Sequence, residues 1–417
     1  MLKNLILIIL LAIIVIIILK YDSGTNNVIL REDFTTDLVK QELESPNKLY
    51  YGTPCQYIRN DAFYTALKNN GYTATEDMSK ACLLVPCTYD DITQELEKIK
   101  NNNLEKNIFG SNVRIYMINN TDYLVSKVTL WTYIVEKYCE KLASQVMPYT
   151  WYIASNEGFE KFKKEFTQGK LYISKNNHQR QEGLEIQDNI DNIDKTRDKY
   201  LIVQELLQNP YCINGRKINL RIYCLLVKDT RGNIKILLYN DGFMYYTSEL
   251  FEKNSKDFKK NITTGYIDRK VYEENPLTHQ DFRKYLDSER QLSNIERFIK
   301  QSRKLSEYVF EKIYAQLKMV LVIFIDKLGD QNDGISFQLY GADIAIDESL
   351  KPLLMEINKG PDLTFKDERD GKLKTTLATD MLKCIGLVPN MGDNGFITVY
   401  ERAFIDNTVH EIEHYPK

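Results

Sequence analysis

The segment from residue 336 to residue 358, SFQLYGADIAIDESLKPLLMEIN, constrains the fold more than any other part of the chain. Two runs rich in apolar residues flank a short polar stretch, which is the pattern of a β-hairpin. If the turn is centred just after Ser349, Asp343 faces Glu356 directly and Asn358 lies on the same face of the hairpin. The alternate residues expected to face the core are Leu353, Met355 and Ile357.

Two carboxylates that face each other repel, and in a half-buried sheet this costs stability unless a cation offsets it. Carboxylate and amide oxygens suit a magnesium ion that bridges nucleotide phosphates. A solvated hairpin whose acids face water is the alternative interpretation. The apolar runs that flank the acids favour burial, so we predict Asp343, Glu356 and Asn358 as metal ligands.

A basic strand is predicted within residues 209–227, where two turn signals are followed by strict alternation. Polar residues occupy one face of this strand, and apolar residues the other. Two of the polar residues are cations: lysine offers a mobile point charge and arginine a planar fork, which together suit a polyphosphate. The alternative interpretation is an edge strand whose polar face is exposed to solvent. The residues on the polar face are Lys217, Asn219, Arg221 and Tyr223.

Two further segments have patterns that suit a nucleotide. The strand LYISK ends in Lys175, which precedes a polar loop and can reach phosphates. The segment from Val203 to Leu206 follows a strand and can offer backbone groups and the Gln204 amide to an adenine edge. The sequence contains no Walker A, Rossmann or kinase catalytic motif, so a nucleotide must be gripped in another way.

Charge and cysteine content exclude several classes of protein. The formal net charge of −3 gives no basic field of the kind that binds nucleic acid, and we predict no nucleic-acid partner. The seven cysteines are scattered and form no CxxC pair, so neither a disulfide framework nor a zinc site is predicted.

The N-terminus carries an unbroken apolar run of 15 residues from Leu5 to Leu19, bracketed by Lys3 and Lys20. If Lys3 snorkels, the span reaches back to Leu2 and comes close to the roughly 20 residues that cross a bilayer. A cleaved signal peptide is the alternative, but the residues after Leu19 form a poor cleavage site. We therefore predict a single-pass membrane anchor, with a cytosolic catalytic domain if the site uses ATP.

The length of 417 residues and the mixture of helical and strand patterns predict an α/β protein of several lobes. The predicted organisation is a transmembrane anchor over residues 1–20, a linker over 21–47, an N-terminal α/β lobe over 48–120, a central lobe over 121–208, a C-terminal lobe over 209–390 and a tail over 391–417.

The order of these segments resembles the tubulin–tyrosine ligase family, whose members have an ATP-grasp fold. The matching blocks run from SKVTL, which contains Lys127, through MPYTWYI, LYISK, VQELLQNPYCINGRKINLRIY, LLYNDG and SFQLYGADIAID to LLMEIN. The resemblance covers roughly residues 48–388 and is most specific in the basic and acidic blocks. It implies that the chain adds tyrosine, glutamate or glycine to a protein carboxylate, usually on tubulin, through an acylphosphate.

The resemblance also implies roles for individual residues. Lys127 and Lys175 would contact the ATP phosphates, and Lys217 and Arg221 would lie by the ribose and terminal phosphate and act in catalysis. Asp343, Glu356 and Asn358 match the family's magnesium ligands. The implied cofactors are ATP and Mg²⁺, and the implied partners are tubulin or microtubules, a free amino acid and, through the anchor, a membrane. The predicted nucleotide-binding residues are Lys127, Lys175, Gln204, Glu205, Leu206, Lys217 and Asn219.

Four positions depart from the family pattern. Asn219 stands where the family has aspartate, Asn240 and Tyr245 replace arginines, and Thr264 replaces asparagine. The absent arginines bear on the incoming amino acid, whose carboxylate needs a cation. Two alternatives to an active protein ligase therefore stay open: an inactive membrane-tethered module that binds nucleotide or protein, and an ATP-grasp ligase acting on small peptides.

Overall fold

The computed structural model describes residues 48–52, 61–85, 113–176, 183–329, 334–392, 394–405 and 408–414. All of them belong to one compact unit, residues 46–417. The predicted anchor over residues 1–20 and the predicted linker over 21–47 lie outside the described residues. Within them the chain is a mixed α/β protein, as the sequence predicts.

The strands form two sheets, and we number them β1–β16 in chain order. Their bounds are Leu49–Gly52, Thr73–Ala74, Leu83–Val85, Arg114–Ile115, Thr150–Tyr152, Tyr172–Lys175, Leu184–Gln187, Ile202–Glu205, Cys212–Ile213, Arg216–Lys228, Ile234–Thr247, Thr263–Thr264, Ile335–Ile346, Pro352–Lys359, Phe396–Ile405 and Thr408–Glu413.

The α-helices connect the strands and cover the sheets. Their bounds are Asp61–Asn69, Asp122–Val125, Lys127–Val146, Asn156–Glu165, Ile190–Thr196, Phe258–Asn261, Val271–Glu274, His279–Asp287, Asn294–Lys300, Leu305–Ile323 and Glu368–Cys384.

The larger sheet contains the basic strand β10 among its interior strands. Its strand order is β16-β15-β11-β10-β13-β4-β3-β1-β2, with β9, β12 and β14 paired at its sides. The strands from β16 to β13 pair antiparallel, whereas β1 to β4 pair parallel with one another and β4 joins β13 in parallel. The predicted basic strand is therefore an interior strand, hydrogen-bonded on both sides, and the edge-strand alternative is wrong.

The smaller sheet is antiparallel, in the order β5-β8-β6-β7. Aromatic side chains from its strands and from the helix Asn156–Glu165 form a core of their own around Trp151, Phe162 and Tyr172. These rings meet edge to face, with centroids 5.2–5.9 Å apart, and such contacts add stability beyond burial. The small sheet therefore has a packed core independent of the larger one.

The register of the acidic hairpin confirms the predicted pairing of Asp343 with Glu356. A β-bulge follows, because Ile344 pairs with Leu354 and leaves Met355 as the extra residue. The bulge reverses the faces on the turn side, so that Leu354 is fully buried in the main core. The prediction that Met355 faces the main core is therefore wrong: it packs against a smaller apolar cluster with Leu353 and lines a cavity beside Glu356.

The predicted membrane location is contradicted. Among the helices of the described residues, none is long and apolar enough to cross a bilayer. The two longest, Lys127–Val146 and Leu305–Ile323, carry acidic and basic residues along their length and bury one side against the core. The apolar run that motivated the prediction lies outside the described residues. We retain neither the membrane location nor the membrane partner.

Candidate functional site

Strand β10 presents cations on one face because its other face is locked into the core. Ile218, Leu220 and Ile222 are completely buried, so the alternating residues must project from the opposite face. On that face Lys217 is only 3% exposed, and the Arg221 side chain 12%. Two cations are therefore held at low exposure on the same face of β10, with Asn219 between them, as the alternation predicts.

Arg221 forms two hydrogen bonds with Asp343 of the neighbouring strand β13. Its Nε donates to Asp343 Oδ1 at 2.6 Å, and its Nη2 donates to Oδ2 at 3.0 Å. Burial raises the pKa of the Asp343 carboxyl, while the Arg221 guanidinium acts to lower it. The pair is the bidentate arrangement that fixes a guanidinium most rigidly.

Gly341 makes room for that guanidinium, and sequence reasoning missed it. A Cβ built on this residue would lie 2.8 Å from Arg221 Cδ and 3.1 Å from Nη1. Tyr245 bounds the other side, with its ring centroid 5.1 Å from the guanidinium carbon. The signal in the sequence is the glycine two residues before Asp343 in an otherwise apolar strand, which indicates close approach by another group.

Glu356 projects from β14 toward the first residue of the helix Lys127–Val146. Lys127 Nζ lies 3.7 Å from Glu356 Oε2, and Asn358 Nδ2 donates to Oε1 at 3.1 Å. Burial raises the pKa of Glu356, but Lys127 and Lys175 outweigh it and hold the pKa below its ordinary value. Glu356 is therefore an anion at neutral pH.

Lys175 reaches the same point from the smaller sheet. Its Nζ donates to Gln204 Oε1 at 2.6 Å, and Gln204 Nε2 donates to Thr150 Oγ1 at 2.9 Å. Gln204 thus anchors the lysine. Burial lowers the pKa of Lys175 to about 8, with Glu356 acting to raise it and Lys127 to lower it. Residues from both sheets therefore share one electrostatic cluster.

Lys217 completes that cluster without a partner of opposite charge. Its ammonium makes no hydrogen bond or ion pair with the residues that the structure describes. Burial, and then the like charge of Lys175, lower the pKa of Lys217 to about 8. An interior ammonium with no counter-ion is costly in the free protein and suits an anionic ligand.

Replacing Lys217 by methionine is expected to stabilise the free protein, because methionine keeps the apolar stem and removes the buried charge. The unfolded chain holds this proton up to about pH 10.5, whereas the folded protein releases it near pH 8. The gain in unfolding free energy should therefore reach roughly 3 kcal/mol at pH 7 and fade as the pH approaches 10.5. Urea unfolding of both proteins at pH 7 and pH 10 measures it.

Lys318→Met is the matched control, since Lys318 is also buried at 8% exposure but pairs with Glu413 at 2.8 Å. Its loss should destabilise the protein. A destabilised Lys217→Met protein at pH 7 would show that the Lys217 ammonium is compensated in the free molecule.

A cavity lies between the helix Lys127–Val146, the smaller sheet and β14. One part of its wall is apolar, and the remainder carries the polar groups just described. A wall that combines apolar surface with a few polar groups is typical of a small-molecule site. The lining residues are Val125, Lys127, Leu130, Met147, Lys175, Ile202, Gln204, Met355 and Glu356.

Two of the predicted residues, Glu205 and Leu206, stand apart from the charged cluster, whereas Asn219 lies within it. The Glu205 carboxylate forms an ion pair with Lys170, and Leu206 packs in a separate apolar cluster with Leu171. The N–H groups of Glu205 and Leu206 donate to the carbonyls of Tyr149 and Leu171. Asn219 lies between Lys217 and Arg221 on the strand, and its buried Oδ1 accepts no hydrogen bond from the part of the chain that the structure describes.

The residues present fit a hard divalent cation in part. No group of three or more acidic, histidine or cysteine side chains that could enclose a metal occurs among the described residues. Asp343 and Glu356, in direct register, and Asn358 beside them form an all-oxygen set with only two charges. Such a set suits magnesium, which keeps several waters and completes its shell with substrate phosphates.

The comparison with known proteins decides the family. The profile described as Tubulin-tyrosine ligase family matches residues 106–394, which is more than half of the chain and includes every candidate site residue. The chain belongs to the tubulin–tyrosine ligase family. The match confirms the resemblance carried by the basic and acidic blocks.

Several curated relatives of this family are similar over part of their length. One is a probable tubulin polyglutamylase TTLL9 of Rattus norvegicus, 31% identical over 45% of this chain and 38% of the relative. Another is a probable alpha-tubulin polyglutamylase Ttll1 of Tetrahymena thermophila, 29% identical over 44% of this chain and 43% of the relative. A third is a tubulin monoglutamylase TTLL4 of Mus musculus, 28% identical over 46% and 17%. The chain thus matches less than half the length of each.

Proposed function

We propose that this protein is an ATP-dependent ligase that joins the amine of a free amino acid to a carboxylate of a protein, with tubulin as the acceptor. One observation carries the proposal: four cations and two carboxylates in register converge between two sheets. The cations are Lys127, Lys175, Lys217 and Arg221, and the carboxylates are Asp343 and Glu356.

The nucleotide accounts for the excess of cations in this cluster. The adenine would lie in the cavity against Ile202 and Met355, in the manner of an ATP-grasp fold. Its phosphates would meet the three lysines, whose charges would then be compensated. Asp343, Glu356 and Asn358 would hold Mg²⁺, which neutralises charge that develops on the phosphate oxygens.

The reaction proposed for this site has two steps. A carboxylate oxygen of the acceptor attacks the γ-phosphorus of ATP, the bond to the β-phosphate oxygen breaks, and ADP leaves. The amine nitrogen then attacks the acyl carbon of the resulting acylphosphate, the C–O bond to phosphate breaks, and the amine releases a proton. Arg221, held rigidly by Asp343, would stabilise negative charge as it moves between these oxygens.

The relatives favour glutamate as the amino acid. All three relatives described above are named as glutamylases of tubulin, and none as a glycylase or tyrosine ligase. The cations common in the family at positions 240 and 245 are here Asn240 and Tyr245. The amino acid must therefore be recognised in part by other residues of this chain.

The test is incorporation of labelled amino acid by the full chain. We expect label in microtubules when the protein is supplied with Mg²⁺, ATP and glutamate, and less label when glycine or tyrosine replaces glutamate. Omission of ATP should abolish it. Nucleotide binding without incorporation of any of the three would contradict the ligase and favour a module that only binds nucleotide. Incorporation into short acidic peptides but not tubulin would contradict the protein acceptor.

A further inference from the structure

Two loops, residues 265–270 and residues 360–367, are connected to each other by side-chain contacts near Arg221. The Tyr266 hydroxyl donates to Asp362 Oδ2 at 3.2 Å, and Lys366 Nζ lies 4.4 Å from the Tyr266 ring centroid. Farther along, Arg269 forms an ion pair with Asp367. The second loop begins directly after β14, the strand that carries Glu356.

The first of these loops touches the wall of the reaction site. A Cβ built on Gly265 would lie 2.9 Å from the Tyr245 ring, so the backbone there packs directly on that ring. The same ring has its centroid 5.1 Å from the Arg221 guanidinium carbon. Asp362 also acts on the Tyr245 hydroxyl electrostatically. The cluster of Tyr266, Asp362 and Lys366 is therefore connected to Arg221 through the Tyr245 ring.

A free amino acid needs both an anion and a cation from its site, because its α-ammonium and α-carboxylate carry opposite charges. Arg221 is occupied by Asp343. Lys127, Lys175 and Lys217 belong to the cluster that is assigned above to the nucleotide phosphates. Of the cations next to the loops, Arg269 pairs with Asp367 and Lys374 is buried with Asp370.

Asp362 and Lys366 form an ion pair with each other at 2.9 Å, and their side chains are 38% and 27% exposed, so the two charged groups of an amino acid could replace this pair one for one. We propose that this pair receives the free amino acid: Asp362 binds its α-ammonium, Lys366 binds its α-carboxylate, and the Tyr266 ring packs beside it. The proposal rests on the proposed ligase function and replaces the two absent family cations with a lysine from the opposite loop.

The loop that carries the pair is held in place before any ligand arrives. Asp362 Oδ1 accepts from the Thr364 hydroxyl at 2.6 Å and from its backbone N–H at 2.9 Å. The carbonyl of Thr364 accepts from the buried Lys374 at 2.7 Å, and Asp370 Oδ1 accepts the backbone N–H of Lys366 at 3.0 Å. Although burial raises the pKa of Asp362, the Thr364 and Lys366 side chains lower it to about 2, so its carboxylate is ionised.

The test is direct binding of glutamate, measured by calorimetry, to the full chain saturated with Mg²⁺ and a non-hydrolysable ATP analogue. Lys366→Met should weaken glutamate binding about tenfold or more and leave binding of the analogue unchanged. Lys366→Arg should retain affinity within about threefold. The matched control is Lys260→Met, because Lys260 is 28% exposed and pairs with Glu252. Lys260→Met should change the affinity for neither glutamate nor the ATP analogue.

An amide analogue identifies the carboxylate that Lys366 binds. The wild-type protein should bind the α-amide of glutamate about tenfold more weakly than glutamate, and Lys366→Met should bind the two equally. Asp362→Asn should weaken both. Glutamate affinity that is unchanged in Lys366→Met, or is undetectable in the wild type, would overturn the assignment.

Different results would contradict the ligase function and the amino-acid site. Binding of glutamate that depends on Lys366, without incorporation into tubulin or peptide, would overturn the ligase function and leave the amino-acid site. Incorporation with the same Michaelis constant for glutamate in Lys366→Met and wild type would overturn the amino-acid site and leave the ligase. Loss of both glutamate and nucleotide binding in Lys366→Met would show that the lysine holds the fold and would also overturn the assignment.

Discussion

Replacing Glu356 by glutamine is expected to lower the rate of amino-acid incorporation by roughly 10³-fold, equivalent to ~4 kcal/mol of transition-state stabilisation, while the protein stays folded. Glutamine has the same shape and keeps a hydrogen-bond acceptor for Asn358. It removes the negative charge that faces Lys127 and Lys175 and that would balance a divalent cation. Incorporation kinetics at saturating ATP measure the loss.

Glu205→Gln is the matched control for this prediction. Glu205 is a glutamate of similar exposure, 32% against 34%, and it also has a lysine partner, Lys170. Its carboxylate lies apart from the charged cluster, so its neutralisation should change the rate by less than about threefold. Comparable activity of Glu356→Gln and the wild-type protein would exclude Glu356 as a magnesium ligand.

The magnesium dependence of nucleotide binding separates the role of Glu356 from a general effect of charge. In the wild-type protein Mg²⁺ should strengthen binding of the ATP analogue. In Glu356→Gln this gain should shrink, while binding without metal should be unchanged or tighter, because the net positive charge of the cluster rises. An undiminished gain from Mg²⁺ would assign the metal to other ligands.

The local geometry of the site could be predicted because it depends on period and register alone. Alternation along β10 determines that Lys217, Asn219 and Arg221 share a face whatever the rest of the fold does. A short turn likewise determines that Asp343 opposes Glu356. The predicted face of Met355 was wrong, because a β-bulge within a continuous apolar run has no signal in the sequence.

Contacts between distant segments could not be predicted from these periods. Gln204 anchors Lys175 because β8 lies beside β6 in a sheet whose order the sequence does not reveal. Gly341 admits Arg221 only because β13 neighbours β10. Such proximity arises from tertiary packing, which no local propensity encodes.

The free protein carries an electrostatic cost at this site that a bound anion would remove. Among the described residues, Lys217 has no counter-ion and the buried Oδ1 of Asn219 has no hydrogen-bond partner. Both features lower the stability of the free fold and would be satisfied by a bound nucleotide. This is the trade-off expected where a site is preorganised for a charged ligand, and it explains why Lys217→Met should gain stability while losing function.

Replacing Arg221 by lysine is expected to slow incorporation by about 10²-fold or more, although the charge is retained. Lysine cannot reproduce the two parallel bonds to Asp343 Oδ1 and Oδ2, and the space left by Gly341 fits a planar group. The Asp343 carboxylate would be left partly unsatisfied in a buried position, which should lower the free energy of unfolding by about 2 kcal/mol.

The control for Arg221 must lose the same kind of interaction away from the site. Arg290 forms a bidentate pair with Glu296, and those side chains are 16% and 4% exposed, so the pair is as buried as that of Arg221 and Asp343. Arg290→Lys should therefore cost similar stability and leave the rate per folded molecule unchanged. If both variants lost activity equally, Arg221 would act only through the fold. If Arg221→Lys lost activity while Arg290→Lys kept it, and Arg221→Lys still bound the ATP analogue, the Arg221 guanidinium would act in the transition state.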